Sequence, residues 1–144
     1  MVESTRSRGF RALLWSQALS TFTDNAFKGY VALWAVSRFG GAEGGRLIAA
    51  AGALFIFPFI VLSPLGGAWA DRLPKRGLLL KLKGAELALM LAAIPALALG
   101  SVPALFLLLA ALGAQAALFS PAKLSVLPEL VDEEDLSYAN GLVQ

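Results

Sequence analysis

Two long stretches without a charged residue limit what this chain can fold into. Residues 47–70 form an uncharged run of 24 residues, and residues 87–122 form a second one of 36. At about 1.5 Å per residue, the first run makes about 36 Å of helix, which is enough to cross a hydrocarbon core of about 30 Å. Because backbone polar groups in lipid must bond within their own segment, the runs predict membrane-spanning helices.

The charged and turn residues around these runs divide the chain into four predicted membrane helices. The second run is too long for one crossing and too short for two. The third helix must therefore begin among charged residues such as Lys81 and Lys83, whose long side chains can reach the headgroups. Residues 100–103, Gly-Ser-Val-Pro, form a turn before the fourth helix. The predicted helices cover residues 10–39, 47–70, 78–99 and 103–119, after a cytoplasmic N-terminus of residues 1–9.

The segments between and after these helices are predicted to lie outside the bilayer. Residues 40–45 contain four glycines and predict a flexible outer loop. They lack the Gly-Lys-Ser/Thr ending of a phosphate-binding loop. Pro121 and Pro128 break the helical pattern, and the four acidic residues 132–135 precede an apolar restart, as at a helix N-terminus. Residues 123–144 are therefore predicted to form a cytoplasmic loop and the start of a fifth helix.

The distribution of Lys and Arg predicts the orientation of the chain in the membrane. With the N-terminus inside, nine of these residues lie in inner segments and two lie in the outer one. Since an excess of basic residues marks the cytoplasmic side, the N-terminus is predicted to be cytoplasmic. The inner residues are Arg6, Arg8, Arg11, Arg72, Lys75, Arg76, Lys81, Lys83 and Lys123, and the outer ones are Arg38 and Arg46.

Composition excludes several classes of function. Hydrophobic residues make up 58% of the chain and charged residues 15%, whereas soluble domains carry about 45–50% and about 25%. The chain has no cysteine and no histidine, which removes disulfides, Ser/His and Cys/His catalysis, and nearly all zinc chemistry. The sequence shows no basic face with interleaved aromatic residues. We expect no enzymatic activity, no catalytic residue, no metal, no cofactor and no nucleic-acid partner.

Two opposite charges interrupt the first predicted helix. Asp24 and Lys28 are four residues apart, so their side chains share a helix face and can pair. A charge near the bilayer centre costs about 2.5–3.5 kcal/mol and usually faces a water-filled cavity or the bundle interior. With Asn25, which adds hydrogen-bonding groups, the pair is the leading candidate for binding a substrate headgroup or a coupling ion. The alternative is a structural ion pair that only neutralises itself.

Four other polar residues are candidates for secondary roles. Lys83 and Glu86 are three residues apart and predict a local ion pair, which either stabilises the helix or acts in a gate. Lys123 either contacts an anionic lipid headgroup or anchors its helix at the interface. Gln115 lies in a run of Ala and Leu, where a hydrogen bond between helices is the expected role.

The segment at the end of the second predicted helix resembles a transporter signature. Residues 66–76 read Gly-Gly-Ala-Trp-Ala-Asp-Arg-Leu-Pro-Lys-Arg and are similar to the loop between helices 2 and 3 of the major facilitator superfamily. Pro74 stands where that family prefers glycine. From charge alone, the segment reads equally well as an ordinary cytoplasmic loop. The residues that match the signature are Gly67, Asp71, Arg72, Lys75 and Arg76.

Further segments resemble the lysophospholipid transporter branch of that superfamily. They are distributed over most of the chain: FTDNAFK at 22–28, ALFIFPF at 53–59, KGAE at 83–86, FSPAK at 119–123, LPEL at 127–130 and ANG at 139–141. In this branch the transporter is often fused to an acyltransferase. The His-x-x-x-x-Asp motif of such an enzyme is absent from these 144 residues, which contain no histidine.

The resemblance implies an all-α, polytopic membrane helix bundle. The family has twelve helices in two halves that rock around a central cavity, and this chain would be an N-terminal fragment with helices 1 to 4 and the approach to helix 5. The implied function is transport of a lysophospholipid, or another amphiphile, across the inner membrane by alternating access. Asp24, Asn25 and Lys28 would line the cavity, and the signature residues would latch its cytoplasmic gate. The expected partners are membrane lipids, the lipid substrate, the remaining helices, and a fused or separate acyltransferase.

Three alternatives to this interpretation stay open at the level of sequence. The first is a drug or metabolite exporter of the same superfamily. The second is a small four-helix membrane protein that works as an oligomer, although residues 139–144 predict the beginning of a further helix. The third is a membrane anchor for a partner enzyme, without transport activity of its own.

Overall fold

The computed structural model describes residues 8–143, and within that range the chain is helical and contains no strand. This confirms the predicted all-α class. Helices α1 and α2 are each 32 residues long, which exceeds the length needed to cross a bilayer. The helices are α1 (Arg8–Phe39), α2 (Gly41–Arg72), α3 (Lys75–Leu99), α4 (Val102–Leu130) and α5 (Leu136–Val143), with a short 3₁₀ helix at Glu133–Asp135.

Three of the described helices, α2, α3 and α4, are long and apolar enough to cross a membrane. Helix α1 has the length but not the hydropathy, because hydroxyl, amide and charged side chains interrupt its middle between Ser16 and Lys28. The structure is therefore consistent with a partial helical membrane bundle. A membrane crossing by α1 stays a prediction, and the predicted N-terminal segment 1–9 lies almost entirely outside the described residues.

The connection between α1 and α2 is shorter than the predicted outer loop. Only Gly40 lies between the two helices, with φ at +69°, a value that favours glycine. The rest of the glycine-rich stretch belongs to α2. A Cβ added to Gly44 would lie 3.0 Å from the Cα of Val36, so the missing side chain lets α2 turn back closely against α1. The prediction of a flexible loop over residues 40–45 is wrong, because α2 already begins at Gly41 and Gly44 packs closely against α1.

Helix α4 continues past the predicted end at residue 119 to Leu130, with Pro121 and Pro128 inside it. A proline removes one backbone donor and frees the carbonyl four residues earlier. For Pro121 that carbonyl belongs to Ala117, which lies against Gly66 of α2. The neighbouring helix α2 thus covers the carbonyl group freed by Pro121, as is common in membrane helices. The predicted break at Pro121 does not occur.

The C-terminal segment is folded onto the bundle rather than forming a loop. After the turn at Val131, the acidic residues form the 3₁₀ helix, and the apolar restart forms α5. Ala139 and Val143 are buried with Phe10 of α1 and Leu127 of α4 in one apolar cluster. The first part of the loop predicted over residues 123–144 is therefore replaced by the end of α4, and α5 lies where the start of a fifth helix was predicted.

Helix α4 is the central element of the bundle and packs against α1, α2, α3 and α5, whereas α1 and α3 make little direct contact. Its approach to α2 is closest at Gly66 and Gly113, where an added Cβ would lie 2.6 Å from the Ala117 carbonyl oxygen and 2.1 Å from the Phe55 carbonyl oxygen. Small residues at such crossings let two backbones meet. Two of the cavities described below lie in the space left between α1 and α3, and a third lies between α1, α2 and α4.

Candidate functional site

One face of α1 carries a row of polar side chains. They occupy positions i, i+3, i+4 and i+7, so they share one face of the helix over two turns. This face turns toward α3 and α4, where it meets further polar residues. The α1 residues are Gln17, Ser20, Thr21 and Asp24.

The row borders a polar cavity of about 160 Å³ between the helices. Each of three helices contributes a charged group: Asp24 on α1, Lys83 and Glu86 on α3, and Lys123 on α4. Two carboxylates and two ammonium groups balance in formal charge, which lowers the cost of placing them in an apolar bundle. The remaining polar lining residues are Gln17, Ser20, Thr21, Gln115 and Ser120.

Direct hydrogen bonds join three helices across the cavity. The Lys83 ammonium is 2.8 Å from the Glu86 carboxylate on the same helix and donates to the Ser20 hydroxyl on α1. The Gln115 amide on α4 donates to the Glu86 carboxylate at 3.2 Å and to the backbone carbonyl of Leu82 at 3.3 Å. Gln115 therefore makes a hydrogen bond between helices, the role expected from its apolar sequence context.

Two acceptors beside the cavity have no hydrogen-bond partner among the described residues. They are the Oδ1 atom of Asp24 and the Oε1 atom of Gln17, both buried. Buried polar atoms in native structures nearly always have a partner, so such an atom needs an explanation. A bound molecule that carries N–H or O–H donors would supply one. The site offers acceptors and cations for binding, and the described residues hold no group of three or more acidic side chains arranged for a metal ion.

The structure separates Asp24 from Lys28. The two side chains form no ion pair, although they occupy adjacent turns of one helix face. One turn beyond Asp24, the Lys28 ammonium meets α2 and lies 4.4 Å from the centre of the Phe55 ring, a favourable cation–π arrangement. It lines a second cavity of about 310 Å³ between α1, α2 and α4. Asn25 is exposed and does not line the polar cavity.

Lys123 lies inside the bundle rather than at its edge. Only 8% of the residue is exposed, and its ammonium donates to the Val143 carbonyl of α5 at 3.0 Å. An interfacial anchor keeps its charged end in the headgroup region. The buried position of Lys123 argues against the anchor interpretation. Contact with an anionic lipid headgroup stays a prediction for this residue.

The signature residues lie where α2 ends and α3 begins. Lys75 forms an ion pair of 2.7 Å with Glu129 near the end of α4. Arg76 and Glu129 border a larger cavity of about 470 Å³, lined mainly by apolar residues of α1, α3 and α4. Asp71 and Arg72 are exposed and form no ion pair with the described residues.

Two details of the signature differ from the sequence expectation. In the described part of the chain, no atom lies near the position of a Cβ on Gly67, whereas Gly66 is the residue that contacts α4. Pro74 has φ at −57° directly before α3, so this turn needs no residue with positive φ. Proline is favoured at the start of a helix, which explains why the departure from the family's glycine is compatible with a two-residue connection.

Sequence reasoning missed Gln17, Ser20 and Glu129 as site residues. For Gln17 and Ser20 a signal exists, since both lie at helical spacing from Asp24. Glu129 shows no such local pattern, because its partner Lys75 is 54 residues away in the chain.

Comparison with known proteins gives two curated relatives that match nearly the whole chain. A lysophospholipid transporter LplT of Photorhabdus laumondii is 34% identical over 149 aligned positions, which cover all of this chain and 34% of the relative. A lysophospholipid transporter LplT of Yersinia enterocolitica is 32% identical over 138 positions, covering 96% of this chain and 32% of the relative. No family model matches the chain, and no solved structure matches it.

These similarities confirm the resemblance inferred from the motifs. The chain spans about one third of the length of the curated relatives it matches. Together with three described helices suited to crossing a membrane, the relatives support a multi-pass membrane protein. Both relatives are named as transporters and not as enzymes.

Proposed function

We propose that this chain, which is similar along its whole length to proteins named lysophospholipid transporters, forms part of a transporter that moves lysophospholipids across the cell inner membrane. The chain carries a headgroup-binding site between α1, α3 and α4. No reaction is assigned to it.

The observation that carries this proposal is the charged cavity within an otherwise apolar bundle. Each charge near the bilayer centre costs about 2.5–3.5 kcal/mol on insertion scales, and such residues mark substrate or ion pathways. Four charged side chains border one cavity here. A structural ion pair needs two partners only, and it would not leave the Asp24 Oδ1 atom buried without a donor among the described residues.

The chemistry of the two adjoining cavities fits an amphiphile. The polar cavity offers a carboxylate from Asp24 for a cationic group and the ammonium groups of Lys83 and Lys123 for an anionic one. The larger cavity shares Lys83 and Phe119 with it and is otherwise lined mainly by apolar side chains, which suit an acyl chain. An exporter of compact cationic drugs has no need for this pairing of a polar and an apolar compartment.

The major facilitator class, with alternating access around a central site, is the mechanism that the motifs imply. In this proposal α1 crosses the membrane with its N-terminus in the cytoplasm, and the ion pair of Lys75 with Glu129 holds the cytoplasmic ends of α3 and α4 together. Lys28 contributes to ion coupling from its own cavity. The rest of the relatives' length supplies the other wall of the pathway, and an acyltransferase partner stays a prediction.

The test measures uptake of labelled lysophospholipid by spheroplasts that express the complete gene. Asp24→Asn removes the charge and keeps the shape of the side chain. Because a hydrogen bond to a charged group is worth about 1.5–3 kcal/mol, we expect affinity for the lipid to fall roughly ten- to a hundredfold. Glu43→Gln is the matched control, since Glu43 is an exposed acid whose ion-pair partner is Arg46 of the same helix, at 3.6 Å.

Two results would contradict the proposal. Wild-type protein that moves a cationic dye but no lysophospholipid would identify a drug exporter instead. Unchanged uptake by normally expressed Asp24→Asn would remove the polar cavity from the pathway.

A further inference from the structure

Glu86 is a buried carboxylate with two fixed partners. Only 7% of the residue is exposed, and its Oε2 atom accepts hydrogen bonds from Lys83 at 2.8 Å and from Gln115 at 3.2 Å. Gln115 is equally buried, and its amide also donates to the Leu82 carbonyl. These bonds fix the carboxylate between α3 and α4. Glu86 is thus held by one side chain of its own helix and by one side chain of α4.

Lys83 is held on three sides and stays accessible on the fourth. Its ammonium bonds to Glu86, donates to the Ser20 hydroxyl of α1, and lies 4.0 Å from the centre of the Phe119 ring. Its side chain is nevertheless 23% exposed, compared with 10% for Glu86. Because Lys83 lines both the polar cavity and the larger apolar cavity, its charge lies where a polar and an apolar compartment meet.

In a lysophospholipid the anionic phosphate lies between the acyl chain and the terminal part of the headgroup. A lipid with its acyl chain in the apolar cavity and its headgroup in the polar one would therefore bring its phosphate to Lys83. Lysine binds phosphate as a compact point charge. The ammonium has three hydrogens, of which Glu86 and Ser20 accept two. The Phe119 ring lies on a third side of the ammonium, so a ligand oxygen would take the place of the Ser20 hydroxyl, while the bond to Glu86 keeps the ammonium in place.

We infer that Lys83 binds the phosphate of the transported lipid, and that Glu86 and Gln115 are positioning residues that hold its ammonium at the junction of the two cavities. The inference rests on the proposed lysophospholipid transport and adds a specificity determinant to it. Lys83 recognises the phosphate, so it discriminates between a lysophospholipid and an amphiphile of the same chain length without phosphate.

The test compares two probes on the purified full-length protein in nanodiscs: lysophosphatidylethanolamine, and a monoacylglycerol with the same acyl chain, which has no phosphate. Lys83→Gln should raise the Kd for the phospholipid by roughly ten- to a hundredfold and leave the Kd for the monoacylglycerol unchanged. Glu86→Gln should shift the phospholipid Kd in the same direction by a smaller factor, because an amide holds the ammonium less firmly.

Lys81→Gln is the matched control, because Lys81 is two residues earlier on α3, is exposed, and lies outside both cavities. It should leave both Kd values unchanged. If Lys83→Gln weakens both probes equally, or neither, Lys83 does not recognise phosphate. If Glu86→Gln tightens phospholipid binding, Glu86 competes with the ligand instead of positioning Lys83. If wild-type protein binds no lysophospholipid, the proposed function itself fails.

Discussion

Replacing Gly113 by alanine tests the packing that holds the bundle together. Gly113 lies in the middle of α4, and a Cβ there would stand 2.1 Å from the Phe55 carbonyl oxygen and 2.9 Å from its carbonyl carbon. Both atoms belong to the backbone of α2, so no side-chain rotation relieves the contact. A methyl group would be more than about 1 Å closer than ordinary van der Waals contact, and α2 would have to move by that amount.

Two opposing effects decide the expected stability of Gly113→Ala. Alanine favours a helix by about 0.8–1.0 kcal/mol over glycine, whereas forcing a methylene-sized group into a packed interior costs typically about 1–3 kcal/mol. Since the obstacle at Gly113 is rigid backbone, we expect the cost at the upper end of that range or beyond. The net effect should therefore be a loss of roughly 2 kcal/mol or more.

The measurement is thermal unfolding of the purified full-length protein in detergent, followed by circular dichroism. Gly84→Ala is the matched control, because Gly84 lies in α3 and no atom of the described residues lies within 4 Å of the position of a Cβ. It should be neutral or slightly stabilising. Equal melting temperatures for Gly113→Ala and Gly84→Ala would refute the close contact between α2 and α4.

Three further predictions concern the site and its surroundings. Lys28→Ala should reduce lysophospholipid uptake by spheroplasts by a smaller factor than loss of the Asp24 carboxylate, because Lys28 lies outside the polar cavity; an equal or larger loss would contradict the separation. Lys75→Glu should lower the melting temperature, and combining it with Glu129→Lys should restore it. The coupling energy should be at most about 1 kcal/mol for this partly exposed pair, and additive effects of the two substitutions would show that the pair does not form. Ser20→Cys should react with a water-soluble maleimide and be protected by lysophospholipid, since Ser20 lines the polar cavity, whereas an unreactive thiol would argue against a water-filled passage there.

The sequence predicted the elements whose limits are set by lipid and by local turn chemistry. The uncharged runs became α2 and most of α3 and α4. These helices are predictable because an α-helix satisfies its backbone hydrogen bonds within its own segment, and apolar side chains need no specific partner in lipid. The turn after α3 also follows from a local rule, since Gly100 has φ at +58°, where glycine is favoured. The ion pair of Lys83 with Glu86 depends only on spacing along one helix.

The parts that the sequence did not predict depend on neighbouring helices. Whether Pro121 ends a helix depends on what covers the carbonyl it frees, and here Gly66 of another helix does so. Helical spacing places Asp24 and Lys28 on one face but does not say which helix lies opposite each of them. The structure puts the polar cavity beside Asp24 and the Phe55 ring beside Lys28.

The glycine contacts between α2 and α4 also restrict how this bundle can move. The backbones of the two helices are in contact at Gly66 and at Gly113. Sliding or rotating one helix against the other would produce a steric clash there, so the two helices should move as one rigid unit. Helices α1 and α3 have no comparable backbone contact with each other in the described structure, and a side-chain hydrogen bond from Lys83 to Ser20 connects them. Any hinge motion in this part of the protein should therefore occur between α1 and α3, which both line the polar cavity.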